Sequence, residues 1–199
     1  MRLKCMNREE ELILIDKIKA GNDELYKLLI DSYSSKIISI VSGVVRDRSD
    51  AEEVAQDIFV KAFFSLKKFR GESSFSTWLY RIAYNMSISR VRKKRRYINV
   101  EDIGNFVSSD SMDGTYTDYN EEILNKEQRF RILENIVDEL DPADRFLLLS
   151  FYLHEKSIRD ISEITGISES NVKVKLHRIK KRMVADANEL CTIYANNIE

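Results

Sequence analysis

Apolar positions along the chain recur at intervals of three and four, and no stretch alternates apolar with polar in the manner of a strand. Between residues 8 and 20 they fall at Leu12, Ile15 and Ile18, before a break at 21–23. Leu25, Leu28, Leu29, Ile37, Ile40, Val41 and Val44 continue the spacing to about residue 46. Val54, Ile58, Ala62 and Leu66 then mark a helix that ends near residue 68. Such spacing gathers apolar side chains into one stripe along a helix. Ser49 with Glu52 three residues later predicts a capping box at the start of the helix over 50–68. A further helix is predicted from about Ser76 into the run Arg90–Arg96, after an interruption at 70–74.

The pattern fails between Asn99 and about Tyr119, where the chain is polar, acidic and rich in Gly, Ser and Asp. Sequence of that kind cannot bury enough apolar surface to order itself and reads as a linker. Helical spacing resumes near Glu121 and stops before Leu140-Asp141-Pro142, where Asp141 is the expected N-cap and Pro142 the first helical residue, a place where its missing N–H costs nothing. The fold expected is therefore all-α. Two small helical domains, 8–97 and 121–190, are joined by a flexible acidic linker over 98–120.

Within the second domain, Ser157 stands three residues before Asp160, and Ile158, Ile161 and Ile164 form a buried stripe. Gly166 falls where the chain must turn sharply, a position where only glycine takes the left-handed conformation freely. Ser168 caps the next helix, whose inward residues are Val172, Leu176 and Ile179, and Ser162 is small where two crossing helices come closest. This is the sequence form of a helix-turn-helix. Its second helix turns Ser170, Asn171, Lys173, Lys175, His177, Arg178 and Lys181 outward, residue types that hydrogen-bond base edges or phosphates when such a helix lies in the major groove.

Charge sharpens this picture. The net charge is only −1, yet residues 101–127 hold eight acids against one lysine, and residues 173–182 hold six bases and no acid. Six of the seven residues from Arg90 to Arg96 are also basic. Two cationic patches separated by an acidic spacer point to a polyanionic partner. The two cysteines, Cys5 and Cys191, lie near opposite ends without metal-type spacing, which fits a reduced compartment. The longest apolar runs fall short of the ~18 residues of a membrane span, and a cytoplasmic location is expected.

The segment from Phe69 to Arg96 joins the only tryptophan, two phenylalanines and two tyrosines to that first cationic run. Rings of this kind stack on exposed bases, while the cations follow a phosphate backbone. Base faces are free only in single strands. A duplex-reading helix beside a single-strand-binding element suggests a protein that opens a duplex, although most of these aromatics also fit a helical core.

Residues 50–85, DAEEVAQDIFVKAFFSLKKFRGESSFSTWLYRIAYN, resemble the polymerase-binding and promoter-melting regions of bacterial RNA polymerase sigma factors of the extracytoplasmic-function (ECF) group, and the second domain, including HRIKKRM, resembles their domain 4. The resemblance runs in order over about residues 10–186. Ser170, Asn171 and Val174 depart from residues common in relatives, which bears on the −35 sequence read rather than on the activity. It implies an alternative sigma factor that binds core RNA polymerase and directs it to promoters. The −35 element would be double-stranded and the −10 element single-stranded. It further implies that Asp50, Glu53, Gln56, Asp57 and Val60 meet the clamp helices of the largest subunit, and that domain 4 meets the flap. Phe69, Arg70, Ser73, Phe75, Trp78 and Asn85 would hold melted −10 bases, with Arg92, Lys93 and Arg95 on the backbone. The linker would thread toward the polymerase active-site cleft. A restraining anti-sigma factor, membrane-bound, is a further partner the family suggests.

Two other classes compete. A stand-alone helix-turn-helix regulator would explain residues 157–183 and leave 50–96 unexplained, and a purely helical adaptor would ignore both basic patches. Catalysis finds no footing: there is no phosphate-binding glycine loop and no Cys/His nucleophile pair, and His154 and His177 have no metal-type partners. No cofactor and no small-molecule substrate are expected.

Overall fold

The computed structural model describes residues 7–101 and 126–196, with side chains for 7–94, 127 and 131–188. Eight α-helices carry the described residues: α1 (Arg8–Lys19), α2 (Tyr26–Val45), α3 (Arg48–Ser65), α4 (Phe75–Glu101), α5 (Lys126–Glu139), α6 (Pro142–Tyr152), α7 (Ile158–Thr165) and α8 (Glu169–Asn196). Single 3-10 turns at Asp23–Leu25 and Leu66–Lys68 bend the chain before α2 and after α3. No strand occurs among these residues. The fold is all-α, as the periodicity requires. Most of the expected linker, 102–120, and the predicted helix start at Glu121 lie outside the described residues.

Local rules set most of the boundaries. Asn7 and Glu10 close a capping box at α1, with both bonds at 2.9 Å. Ser157 and Asp160 close another at α7. Gly166 ends α7 at φ 78°, and the Ser162 hydroxyl donates to the Ile167 carbonyl at 2.6 Å to tighten the turn. Ser168 then accepts from the Asn171 amide, as an N-cap should. Pro142 is the first residue of α6, although Asp141 makes no side-chain capping bond there. The start of α3 differs from expectation. The helix begins at Arg48, and Asp47 rather than Ser49 caps it by accepting from the Asp50 amide at 3.0 Å. Aspartate caps as well as serine, and placing the cap two residues earlier leaves Ser49 inside the first turn.

The first domain packs α1–α4 around one core. Ile15, Leu29, Ile37, Ile40, Val41, Ile58, Ala62, Leu79 and Ala83 are fully buried there. The segment Asp23–Val45 is long and apolar enough by composition to cross a bilayer, but its apolar stripe is the centre of this core. In the second domain Leu147, Ile161, Val172 and Leu176 form a smaller cluster, with Leu140, Leu148 and Ile179 beside it. The domains are not held apart. Phe146 of α6 and Ile164 of α7 are fully buried within the first domain's core, and the Phe146 ring meets Tyr84 of α4 edge-on at 5.0 Å. Arg145, itself buried, donates to the Val44 carbonyl at the end of α2 at 3.2 Å, and to the carbonyls of Asp138 and Leu140 in its own domain. Arg46 and Asp138 form an ion pair across the same seam.

A Cβ at Gly166 would meet nothing within 4 Å, so the cost of a side chain there is purely conformational. Gly166→Ala is expected to destabilise the chain by about 1–2 kcal/mol, and Gly166→Asn by less, in urea unfolding followed by circular dichroism. Equal stability of all three proteins would remove the left-handed turn from the account.

Candidate nucleic-acid interface

A helix as long as α4 turns different sides to different neighbours, and its sequence is sorted accordingly. Leu79, Ala83 and Ile88 face the core. Thr77, Tyr80 and Tyr84 face the second domain. Arg81, Asn85, Ser89, Arg92 and Lys93 are exposed, and Trp78 is half-buried beside them. Arg90 and Lys94 turn toward α3: Arg90 donates to Asp50 at 2.7 Å and Glu53 at 2.5 Å, and Lys94 to Asp50 at 2.9 Å and Asp47 at 3.1 Å. Hydrogen bonds from Arg90 and then Lys94 hold the Asp50 carboxyl below its ordinary range, and the cap to the Asp50 amide with the Lys94 bond does the same for Asp47. The same bonds raise the two cations. The basic run is therefore not one uniform surface. Arg92 and Lys93 face solvent, while Arg90 and Lys94 are engaged with acids; Arg95 lies outside the residues whose side chains are described.

The aromatics ahead of the run also divide. Phe69 and Phe75 are buried, meeting edge-on with centroids 5.8 Å apart and lying tilted against Trp78 at 5.3 and 5.6 Å. Of the aromatics expected at melted bases, these two are therefore held in the apolar core, where they form the wall on which Trp78 rests. The Lys19 ammonium donates to the Phe69 carbonyl at 2.7 Å and fixes the loop from the α1 side. Trp78 remains accessible and borders a cleft of about 300 Å³ lined also by Glu72, Ser73, Thr77, Arg81 and Glu163. Its volume is at the small end of ligand clefts, and an indole wall with an arginine beside it suits a flat, unstacked heterocycle. Arg70 is exposed but does not line the cleft.

On α8, Val172, Leu176 and Ile179 are buried, which leaves Ser170, Asn171, Lys173, His177, Arg178 and Lys181 exposed together. Lys175 is half-buried and donates to Asp144 of α6 at 2.7 Å. It holds the recognition helix to its support as well as edging the outer face.

A third surface runs along α3. Glu53, Gln56, Asp57 and Val60 are exposed, and Asp50 is largely covered by its cationic partners. The stripe continues one turn further than the sequence reading took it, to Phe64, which is 77% exposed. Phe64 and Val60 border an apolar concavity of about 440 Å³ with Ile30, Phe59, Phe63 and the Lys27 stem. The i+4 step from Val60 was the available signal.

The structure thus presents two exposed cationic and amide-bearing helix faces, one of them beside an aromatic cleft. Comparisons with known proteins identify the family. Residues 29–97 match the family description Sigma-70 region 2, and residues 130–183 match Sigma-70, region 4. The chain is 29% identical over 182 residues to the ECF RNA polymerase sigma factor SigW of Bacillus subtilis, covering 88% of this chain and 96% of that one. It is 29% identical over 175 residues to the ECF RNA polymerase sigma-E factor of Haemophilus influenzae, covering 84% and 90%. Its fold matches the sigma factor RpoE of Bartonella quintana, solved in complex with the anti-sigma factor NepR, with a TM-score of 0.62 at 18% identity over 82% of this chain and 96% of that one. The chain belongs to the sigma-70 family of RNA polymerase sigma factors, in its ECF group, and is an alternative sigma factor that directs RNA polymerase to promoters.

Because Arg92 and Lys93 are free while Arg90 and Lys94 are not, their removal separates two effects. Arg92→Ala with Lys93→Ala should lower affinity for any DNA and reduce the slope of log K against log salt by roughly 0.7–0.9 per lost phosphate contact. Arg90→Ala should leave that slope nearly unchanged and instead loosen α3 from α4 in thermal unfolding. Equal slopes for the two variants in fluorescence titrations would contradict the division.

The depressed Asp50 carboxyl gives a pH test. Its contribution to stability is present above the ordinary aspartate value of 3.8 and is lost as pH falls through the lower folded-state value. Asp50→Asn should therefore be less stable than the parent at neutral pH, with the gap narrowing below about pH 4. A gap that stays constant down to pH 2 would show that the carboxylate is not bound in this way.

Proposed function

We propose that promoter recognition is divided between the two exposed faces, with α8 reading the −35 duplex and the Trp78 cleft with Asn85 holding the −10 strand once it is melted. The observation that carries this reading is the pairing of an exposed recognition helix with a separate cleft that has an aromatic wall and an arginine. Duplex DNA offers edges but no free base faces, so only a melted strand could use the second site. Phe69 and Phe75 contribute by propping Trp78 rather than by stacking themselves. On α8 the base or phosphate contacts fall to Ser170, Asn171, Lys173, His177, Arg178 and Lys181, with Lys175 shared between DNA and Asp144.

The α3 stripe of Glu53, Gln56, Asp57, Val60 and Phe64 is the surface proposed for core polymerase. Acids at one end and an exposed phenylalanine at the other suit a partner that is basic and apolar in the same order, as a helical hairpin can be. The action is binding and positioning, not catalysis, and its place is the cytoplasm, where polymerase and promoter are. An anti-sigma factor is proposed as a further partner, by likeness to the complex of RpoE with NepR.

Run-off transcription with purified core polymerase tests the whole reading, and failure to support any promoter-specific transcript would refute it. Within it, Asn85→Ala should damage strand opening more than initial binding, because the closed complex rests on phosphate contacts and on α8. Loss of one amide from a base edge is expected to cost about 1–3 kcal/mol in open complex. Permanganate reactivity of promoter thymines measures this directly. A pre-melted template should restore opening but not the lost base preference. Normal opening and normal preference in the variant would remove Asn85 from the site.

A further inference from the structure

The outward side of α8 carries one residue to which neither the core nor the polar contacts with DNA assign a task. Val172, Leu176 and Ile179 mark the buried stripe of this helix. At about 100° per residue, Val174 lies roughly 200° round the axis from Val172, in the middle of the opposite side. It is 46% exposed. Ser170 and Asn171 stand one turn before it and His177 and Arg178 one turn after, all exposed. Lys173 and Lys175 flank it in the chain, the second drawn toward α6 by Asp144.

Folding gives no reason for a valine at this place. A β-branched side chain loses χ1 freedom against the preceding turn and is a weaker helix former than the lysines on either side. Burial does not offset this, because Val174 belongs to none of the apolar clusters of the second domain. Single exposed apolar residues are common on protein surfaces and by themselves mean nothing. This one is set apart by its position. It is the apolar centre of a face otherwise polar and cationic, in the second turn of a helix that begins at Glu169. A recognition helix inserts that N-terminal part into the major groove. Helical side chains also lean toward the start of their helix, so the valine methyl groups lie over the turn of Ser170 and Asn171.

The chemistry of the groove supplies the complement. Every base pair shows hydrogen-bond donors or acceptors there, and thymine alone adds an apolar group that projects into it, the 5-methyl. A valine pressed on a cytosine amino group or a guanine carbonyl would remove water and return no bond. Pressed on a methyl group, it removes water from two apolar surfaces at once. We propose that Val174 is a specificity-determining residue of the −35 contact, packing on the 5-methyl group of a thymine that lies between the base pairs met by Asn171 and Arg178. The inference rests on the reading of α8 as the −35 helix and names a base that this helix selects. Asn171 and Arg178 lie roughly 4.5 and 6 Å along the axis from Val174. A base pair rises about 3.4 Å, so the thymine falls within one or two base pairs of each. A serine at this position could bond to more than one kind of base, whereas valine narrows the choice.

The test uses holoenzyme assembled from the full-length chain and purified core polymerase. Its probe is a synthetic promoter duplex that supports run-off transcription. Each thymine of the −35 element, on either strand, is replaced in turn by deoxyuridine, which keeps the base pair and removes only the methyl group. In fluorescence titrations of the closed complex, one replacement should weaken binding by the parent about three- to tenfold, the worth of one buried methyl group. The other replacements should change little. Val174→Ala leaves a gap that forfeits the contact, and it should distinguish thymine from deoxyuridine at that position by less than about twofold. Val174→Thr keeps the shape and one of the two methyl groups, and should retain part of the preference. Alanine is the better helix former at an exposed site, so thermal unfolding of Val174→Ala should be unchanged or slightly higher, which separates a weaker complex from a weaker fold.

Arg178→Ala tells the two levels of the reading apart. Unchanged promoter affinity in that variant, with no thymine sensitive to its methyl group, would remove α8 from the groove and overturn both. Weaker binding by Arg178→Ala, together with a parent indifferent to every replacement, would overturn the valine contact alone. Full discrimination retained by Val174→Ala would do the same.

Discussion

The rest of the molecule depends on how α4 shares out its circumference. One stripe fills the first core, a second meets α6 and α7, a third is neutralised by the acids of α3, and a fourth is left to solvent with Trp78, Arg81, Asn85 and Arg92 along it. Helical geometry enforces the division, because residues three and four apart share a side and adjacent residues do not. The neighbours Trp78, Leu79 and Tyr80 show it most plainly. The first borders the cleft, the second is core, and the third holds the other domain.

The sequence was legible where structure follows from neighbours in the chain. The helix-turn-helix could be read residue by residue, since a cap, a capping box and a left-handed glycine act within a few positions of one another. The start of α3 was less secure because Asp47 and Ser49 are both competent caps, and Lys94, far away in the chain, adds to the preference for Asp47. The aromatics of 69–78 were ambiguous for a deeper reason. A phenylalanine that stacks on a base and one that fills a core have the same composition and spacing, and only packing distinguishes them. The closed seam could not be read at all. His154, Lys156, Ser76 and Thr77 are unremarkable polar residues until folding brings together positions that lie some eighty apart in the chain.

The pairing of the basic run with α3 changes how its charge should be counted. Six bases in seven residues suggest a strong phosphate-binding strip, but two of the four whose side chains are described are spent within the domain. Exposed ion pairs of this kind add little to stability. Their effect is on orientation: with Arg90 and Lys94 tied to Asp50, Glu53 and Asp47, the helix cannot roll, and Arg92 and Lys93 are held on the side where Asn85 and Trp78 lie. The same pairs join the stripe proposed for polymerase to the helix proposed for the −10 strand. Polymerase binding at Glu53 would compete for Arg90, so the two surfaces are chemically connected even though they face different partners.

Opening the seam has a cost that bears on when it can occur. Phe146 and Ile164 are fully buried between the domains, and exposing side chains of this size costs about 1.5–3 kcal/mol each. Breaking the bonds of Lys156, Thr77 and Arg145 adds to that, offset in part by water taking their place. A free chain with such a contact stays largely closed. The open form needs a partner that covers the uncovered apolar surface or binds the separated domains much more tightly than the joined ones, since a ligand shifts a two-state equilibrium only by its preference for one state. Polymerase would have the required property if it engages α3, as proposed, and the second domain at separate places. A partner that bridges both domains in the closed body would have the opposite effect, which is the physical form a restraining factor would take here.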